Sequence, residues 1–340
     1  MRSYQVALFA EYPAPIIYGG LELFCQRTVT ALQALDPSVK LLDYYDPAQP
    51  VDLLHILGNP PGIYEVAIQA AKTKKLVIST VFGGAVPSRL QSAAIKSFSA
   101  FTELFGQKID HTRVRDMLRA ANHLVVLNEI ERDFIAERYG IPTERMTIIP
   151  VGVEDRFYAA KPDAFIKRYN MRDFVLFTGN IVPRKNPLRL AQALQELGLP
   201  GVFIGRTVSS DLDYAAEFKT LIEGTPNLLW IEGIAADDPL LPSAYAAAAA
   251  FCLPSFAEGQ SASSLEAMAV GKPIILADLP YSYQSCYSKV ARCDPARVES
   301  IRDTVQKVLA DADAYSHQLP EQHRWKVIAK QLLDIYASLD

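Results

Sequence analysis

Short, mostly apolar runs recur along the first half of the chain, at Tyr4 to Ala10, Val51 to Leu57, Leu76 to Val81, His123 to Leu127 and Met146 to Ile149. They are too short for helices and are bounded by turn-forming residues, so they predict buried strands. The segments between them space their apolar residues three and four apart. In the clearest, Leu21, Phe24, Cys25, Thr28, Val29, Leu32 and Leu35 fall on one face of a helix introduced by Gly19-Gly20. A second series of runs begins at Phe174 to Thr178 and continues through Val202 to Gly205, Leu228 to Ile231, Ala250 to Leu253 and Pro273 to Ala277. Strands alternating with amphipathic helices, twice over, predict an α/β protein of two doubly wound parallel-sheet domains.

Val153 to Arg172 is charged and weakly periodic, which places the linker between the domains there. The alanine run Ala246 to Ala250 reads as the end of a helix. The chain closes on a helical pattern, His323 to Leu339, whose apolar positions Trp325, Ile328, Ala329, Leu332, Leu333 and Tyr336 require a surface to cover.

Composition narrows the function. The 340 residues are 50% hydrophobic, enough for two cores, and the net charge of -4 gives no basic field for nucleic acid. No run is long enough to span a bilayer and no signal-peptide pattern opens the chain. The four cysteines, Cys25, Cys252, Cys286 and Cys293, form no CxxC pair, so reduced thiols in a cytoplasmic protein are expected.

Three constellations carry candidate chemistry. In the first, Ser263-Ser-Leu-Glu266 reads as a capping box opening a helix that stops at Gly271. The small polar run Gly259-Gln-Ser-Ala262 before it puts backbone N–H groups and a positive helix end at a sheet's carboxyl edge, where a phosphate is favoured. Glu258 and Glu266 flank that position, and carboxylates accept hydrogen bonds from hydroxyl pairs of a sugar or ribose. In the second, Thr178-Gly-Asn-Ile-Val-Pro-Arg-Lys-Asn-Pro187 runs from strand end to helix start, with Asn186 as N-cap and Pro187 at the first helical position. Arg184 and Lys185 oppose the dipole of that helix unless an anion joins them, and a diphosphate would do so. The third is Tyr18-Gly19-Gly20-Leu21-Glu22, whose glycines allow a close backbone approach or a simple tight turn. No GxGxxG follows any predicted strand.

These blocks together resemble the family 4 (group 1) glycosyltransferases of the GT-B fold. Glu258 through Glu266 and on to Gly271-Lys-Pro273 is similar to that family's pair of acids with seven residues between them. Pro183-Arg-Lys185 resembles its basic diphosphate loop, Tyr12-Pro13 with Gly19-Gly20 its first loop, and Arg324-Trp325 to Tyr336 its closing helix. The resemblance implies two Rossmann-like domains facing across a cleft, 1–155 plus 323–340 for the acceptor and 156–322 for a nucleotide-sugar, with the closing helix crossing back. It implies retention of anomeric configuration, no metal, and no cofactor besides the nucleotide-sugar substrate, with UDP or GDP as the nucleotide. Carried onto this chain, Glu266 would hold the ribose hydroxyls and Glu258 would contact the transferred sugar. The backbone of Gln260, Ser261 and Ala262 would face the distal phosphate, and Arg184 and Lys185 would stabilise the leaving diphosphate. Gly19, Gly20 and Gly179 would line the donor, with the base near Ile231 and Ile234.

The chain departs from the family pattern at Phe82, where a histidine is common, at Asn180, where an arginine is common, and at Val151-Gly-Val-Glu154, where Asn-Gly-Val-Asp is common. Two alternatives to a transferase therefore stay open: a nucleotide-sugar binding protein without turnover, and a GT-B-type epimerase. Asn59 reads as a turn former or as a contact to donor or acceptor, and Phe82 belongs with it on the acceptor or sugar side. His55 reads as a core histidine, and Asp211-Leu-Asp213 as capping a helix start rather than a metal site. The amphipathic stretch Ser88 to Phe105 reads as a core-facing helix, with peripheral membrane contact as its alternative.

Overall fold

The structure is a computed structural model and describes residues 4–10, 19–82 and 109–339. Tyr12, Pro13, Tyr18 and the stretch Ser88 to Phe105 lie outside the described residues. The chain divides into two compact units, one comprising Met1–Gly152 with Glu321–Asp340 and the other Val153–Pro320.

In the first unit, β1 (Val6–Ala10), β2 (Lys40–Leu41), β3 (Leu53–Leu57), β4 (Lys75–Ser79), β5 (His123–Val126) and β6 (Met146–Ile148) form one parallel sheet in the order β2-β1-β3-β4-β5-β6. Side chains alternate between its faces, as the pleat requires. Ala7, Phe9, Leu54, Ile56, Leu76, Ile78, Leu124 and Val126 form one core with α2 (Tyr64–Thr73), α3 (Asp110–Ala120) and α4 (Glu129–Tyr139). Val6, Leu8, Leu53, Val77 and Val125 form the other with α1 (Gly20–Leu35) and the C-terminal helix, Trp325–Ser338. The C-terminal helix buries Ile328, Ala329, Leu332, Ile335 and Tyr336 there, which is the surface its pattern required. His55 is a satisfied core residue. Its Nδ1 lies 2.6 Å from the Tyr336 hydroxyl and its Nε2 2.8 Å from Ser79 Oγ, tying that helix to two strands.

In the second unit, α5 (Asp155–Tyr158), α6 (Asp163–Tyr169), β7 (Phe174–Thr178), α7 (Pro187–Leu197), β8 (Gly201–Ile204), α8 (Leu212–Glu223), β9 (Leu228–Ile231), α9 (Leu240–Ala247), β10 (Ala248–Leu253), α10 (Ala262–Ala269), β11 (Ile274–Ala277), β12 (Ala291–Cys293) and α11 (Val298–Ala310) follow one another. The parallel sheet runs β12-β11-β10-β7-β8-β9. That is the doubly wound order in which the first strand, β7, lies beside the fourth, β10, so the strand order reverses between them.

Three expectations are corrected. The unit boundary falls at the first residue of the predicted linker, between Gly152 and Val153, but the rest of that segment, to Arg172, carries α5 and α6 and packs into the second unit, with Phe157 and Phe165 fully buried despite their charged surroundings. The alanine run is split, with α9 ending at Ala247 and β10 starting at Ala248, since pairing with β7 overrides the helix preference of alanine. Asp211 does stand at the start of α8, but its carboxylate accepts from the Ser210 hydroxyl at 2.7 Å and makes no cap bond.

Among the described residues no helix is long and apolar enough to cross a membrane, and no group of three or more His, Cys, Asp or Glu residues could hold a metal ion.

Candidate functional site

The reversal point of the second sheet gathers the sequence candidates of that unit. β7 ends at Thr178, and Gly179 follows at φ 149°, a conformation that favours glycine. A Cβ there would also sit 3.5 Å from the Lys185 stem, which lies over this glycine. On the far side, a Cβ at Gly205 would collide with the Gly179 carbonyl, so two glycines allow the ends of β7 and β8 to approach. From this tight start the chain reaches Arg184 and Lys185 just before α7.

Both cations turn to one carboxylate. Lys185 Nζ is 2.7 Å and Arg184 Nη1 3.1 Å from Glu258 Oε1, and the Glu258 side chain is only 8% exposed against 52% for Arg184. The backbone joins the same two loops, with Phe256 N–H donating to the Arg184 carbonyl at 2.8 Å. The anion that the sequence demanded for these cations is thus supplied in part by the protein itself. One carboxylate against two cations leaves an excess positive charge, so a further anion is favoured there.

Asn186 occupies the N-cap position of α7 with left-handed backbone, φ 61°. Its side chain does not cap. The buried amide donates to the carbonyls of Pro254 at 3.2 Å and Pro295 at 2.8 Å, and its Oδ1 accepts from Arg189 at 3.2 Å. Asn186 therefore fastens the basic loop to the end of β10 instead of closing its own helix.

The capping box is also corrected. The N-cap of α10 is Ser261, whose Oγ accepts from Ser264 N–H at 3.3 Å, while Ser263 sits inside the helix. Glu266 consequently stands a turn beyond the cap, too far in to serve the first-turn N–H groups. It accepts instead from the Tyr245 hydroxyl at 2.7 Å, and that hydroxyl is 2.6 Å from Thr178 Oγ1. Burial, then the Glu266 charge, pushes the Tyr245 phenol well above its usual range, so it stays a protonated donor. Both acids of the pair are thereby tied to the end of β7, Glu266 through Tyr245 to Thr178 and Glu258 through Lys185 over Gly179.

The turn before α10 is held from below. Gln284 Nε2 donates to the Gly259 carbonyl at 2.6 Å, and Gln260 Nε2 donates to Gln284 Oε1 at 3.1 Å. This leaves the start of α10, from Ala262, with the N–H groups that a helix cannot satisfy internally. Two buried hydroxyls nearby in the chain, Ser255 Oγ and Ser264 Oγ, have no hydrogen-bond partner.

Ile231 ends β9, two strands from β7, and Gly233 makes a tight turn back to its carbonyl at 2.7 Å before Ile234. The Arg206 side chain lies against Gly233.

The remaining candidates are in the first unit. Gly19 is the N-cap and Gly20 the first residue of α1. Asn59 Oδ1 accepts from Val81 N–H at 2.7 Å, bridging the loops that follow β3 and β4. Phe82 packs its ring on Phe134 and Tyr139, at 5.4 and 6.0 Å between centroids, which engages the ring with the core. The buried Glu131 accepts from Thr80 Oγ1 and the N–H groups of Phe82 and Leu127, and burial pushes its carboxyl up to about 7.

Sequence reasoning missed Tyr245, Gln284 and the bracing role of Asn186. Tyr245 lies in the Ala-rich segment before β10 and carries no motif; only the fold brings it under Glu266.

The description "Glycosyl transferases group 1" matches residues 162–331, half of the chain. The O-antigen chain mannosyltransferase B of Escherichia coli is 24% identical over 245 residues, covering 66% of this chain and 63% of that protein. The match thus spans less than two thirds of that relative's length. Among solved structures, sucrose-phosphate synthase from Thermosynechococcus elongatus superposes with a TM-score of 0.74 at 16% identity, over 98% of both chains. HepE from Anabaena in complex with UDP gives 0.73 at 14% identity, over 98% of this chain and all of that one.

Proposed function

The chain belongs to the group 1 glycosyl transferases and has the GT-B fold, and from that premise we propose that it moves a hexose from a nucleoside diphosphate to a hydroxyl acceptor. The observation that carries the reading is the pairing of Lys185 and Arg184 with Glu258 at the strand reversal of the second sheet. In such a transfer the bond from the anomeric carbon to the diphosphate oxygen breaks, one from that carbon to the acceptor oxygen forms, and the proton of the acceptor hydroxyl passes to the departing diphosphate. Negative charge grows on the departing diphosphate. Lys185 and Arg184 meet it, aided by the positive end of α10, and preorganised charges of this kind supply a large share of catalysis. Glu258 holds the two cations in place before the donor arrives and faces the transferred sugar, while Glu266, oriented by Tyr245, accepts from the ribose hydroxyls. Retention of configuration and independence from metal belong to this reading.

The neighbour solved with UDP and with UDP-glucose supports a nucleotide-sugar as the donor to try first. A melting-temperature screen against UDP- and GDP-hexoses tests binding, and release of nucleoside diphosphate in the presence of acceptor mixtures tests transfer. Stabilisation by a donor without any such release selects the second reading, binding without turnover. That reading draws on Asn180 standing where an arginine is expected and on the core-packed ring of Phe82.

A further inference from the structure

The loop after β2, the edge strand of the first sheet, displays two neighbouring aromatic rings at the surface. Tyr45 is 94% exposed, Tyr44 66% and Leu41 at the strand end 55%. Single exposed apolar residues are ordinary, but three within five positions of a braced turn are not. Gln49 does the bracing: its Oε1 accepts from Asp43 N–H at 2.8 Å and its Nε2 donates to the Leu41 carbonyl at 2.9 Å. Asp43 Oδ1 accepts from Tyr45 N–H and Asp46 Oδ1 from Ala48 N–H, each at 2.9 Å. Tyr44 is anchored inward, edge-on to Phe9 with centroids 5.8 Å apart and its hydroxyl 3.3 Å from the Ala10 carbonyl. The turn is therefore preformed, and Tyr45 gains nothing in the protein for being held outward.

Its position is also informative. Ala10 ends β1, and β1 is the strand of this sheet flanked by β2 and β3, where the strand order reverses. Ligands of open α/β sheets bind outside the carboxyl ends of the strands at such a reversal. The residue types define the ligand. A tyrosine face covers an apolar, weakly positive C–H surface, and carboxylates at its rim accept from hydroxyl groups. Asp43 and Asp46 each commit one oxygen to the turn and keep the other, and among the described residues no cation pairs with either. Two such charges disfavour phosphates and acidic sugars.

We propose that Tyr45, together with Tyr44, Asp43 and Asp46 of the same turn, is a binding subsite for an uncharged pyranose of the acceptor. Its assignment to the acceptor rests on the transferase reading; the binding of a pyranose does not.

Saturation-transfer NMR on the full chain, with methyl glucopyranosides, mannopyranosides and galactopyranosides, their disaccharides, and glucuronate as the charged control, tests the subsite. Neutral pyranosides receive saturation on their ring C–H protons and glucuronate does not. Tyr45→Ala weakens the binding by about tenfold or more, the loss expected when a covering ring is removed, while Tyr45→Phe retains it. Asp43→Asn, which keeps the acceptor for Tyr45 N–H, narrows the discrimination against glucuronate. Because Tyr45 is so exposed, Tyr45→Ala melts with the parent protein. Binding that is equal in the parent and Tyr45→Ala, or absent from the whole neutral panel, overturns the subsite. Titration of nucleotide-sugars in the same samples separates the two readings. Donor binding without pyranoside binding removes the subsite and leaves the donor site standing. Tyr45-dependent pyranoside binding in a protein that never turns over a donor keeps the subsite and removes the transferase.

Discussion

Lys185 Nζ stands 2.7 Å from Glu258 Oε1, although 72 positions of sequence separate the two residues. The carboxylate is nearly buried and Arg184 reaches the same oxygen, so Glu258 sets the geometry of both cations. Changing its charge and changing its partner should then have opposite effects on the ground state. Glu258→Gln removes the anion that competes with a diphosphate, so affinity for nucleoside diphosphate rises. Turnover falls about a hundredfold, because cations displaced by an ångström no longer meet the developing charge. Lys185→Ala lowers both donor affinity and rate, the latter by about a hundredfold as for loss of one preorganised donor. Calorimetric titration with UDP and GDP, alongside steady-state rates, checks both. Unchanged affinity and rate in Lys185→Ala would remove the diphosphate role.

Tyr245→Phe isolates the orientation of Glu266. The ring is fully buried between Phe157 and Phe251, so phenylalanine fills the space and only the bridge from Thr178 to Glu266 is lost. Stability drops by about 1 kcal/mol, the usual net worth of such a bond, with a larger loss if Thr178 is left unpaired. Affinity for the nucleoside diphosphate falls several-fold while that for inorganic pyrophosphate, which has no ribose, stays as it was. An equal loss for both ligands would place Glu266 elsewhere.

How far the fold was readable depended on burial. β7, buried along its whole length, is bounded in the sequence where it is bounded in the structure, since Phe174 to Thr178 is a single apolar run. The edge strands β2 and β12 were invisible because Lys-Leu and Ala-Arg-Cys carry no pattern of their own. Around Ser261, the string Ser-Ala-Ser-Ser presents several equivalent caps, and local preference cannot choose among them. The choice falls to Gln284, which fixes Gly259 from a loop outside that string. The same limit hid the Glu258 clamp. Charge patterning showed two cations in need of an anion, but which anion is a property of the sheet order, not of the loop.

His55 gives the first unit a defined response to acid. Burial lowers its imidazole from 6.5 to about 3, so it is neutral in the folded protein. The unfolded chain binds the extra proton between those values, and stability therefore rises with pH through that window and is fully present above about 6.5. His55→Gln can keep one bond each to Ser79 and Tyr336 without titrating. At pH 7 the variant is less stable by about 1 to 3 kcal/mol. The gap closes as the pH falls from 6.5 towards 3, because only the parent protein loses the histidine contribution. Urea unfolding followed by circular dichroism across that range measures it. A gap that stays constant with pH contradicts a neutral, buried His55.

Gly152 marks the last residue of the first unit before the chain enters the second, and it owes its place there to Trp325 at the start of the C-terminal helix. A Cβ at residue 152 would fall into the indole, with Cε3 only 2.8 Å away, and a ring wedged beside Phe24 of α1 has little room to retreat. A neighbouring contact depends on the same docking, since the buried His323 Nδ1 lies 3.0 Å from the Val151 carbonyl. Gly152→Ala therefore costs about 1 to 3 kcal/mol, as expected for overpacking. The strain acts on the C-terminal helix rather than on the sheet it covers. Trp325 moves towards solvent, so indole emission shifts to the red, with Trp230→Phe as the background that removes the other indole. Limited proteolysis cuts before Trp325 sooner in Gly152→Ala than in the parent. If emission and cleavage match the parent while stability falls, the added methyl is accommodated by the backbone at 152 and the helix is not held through this glycine.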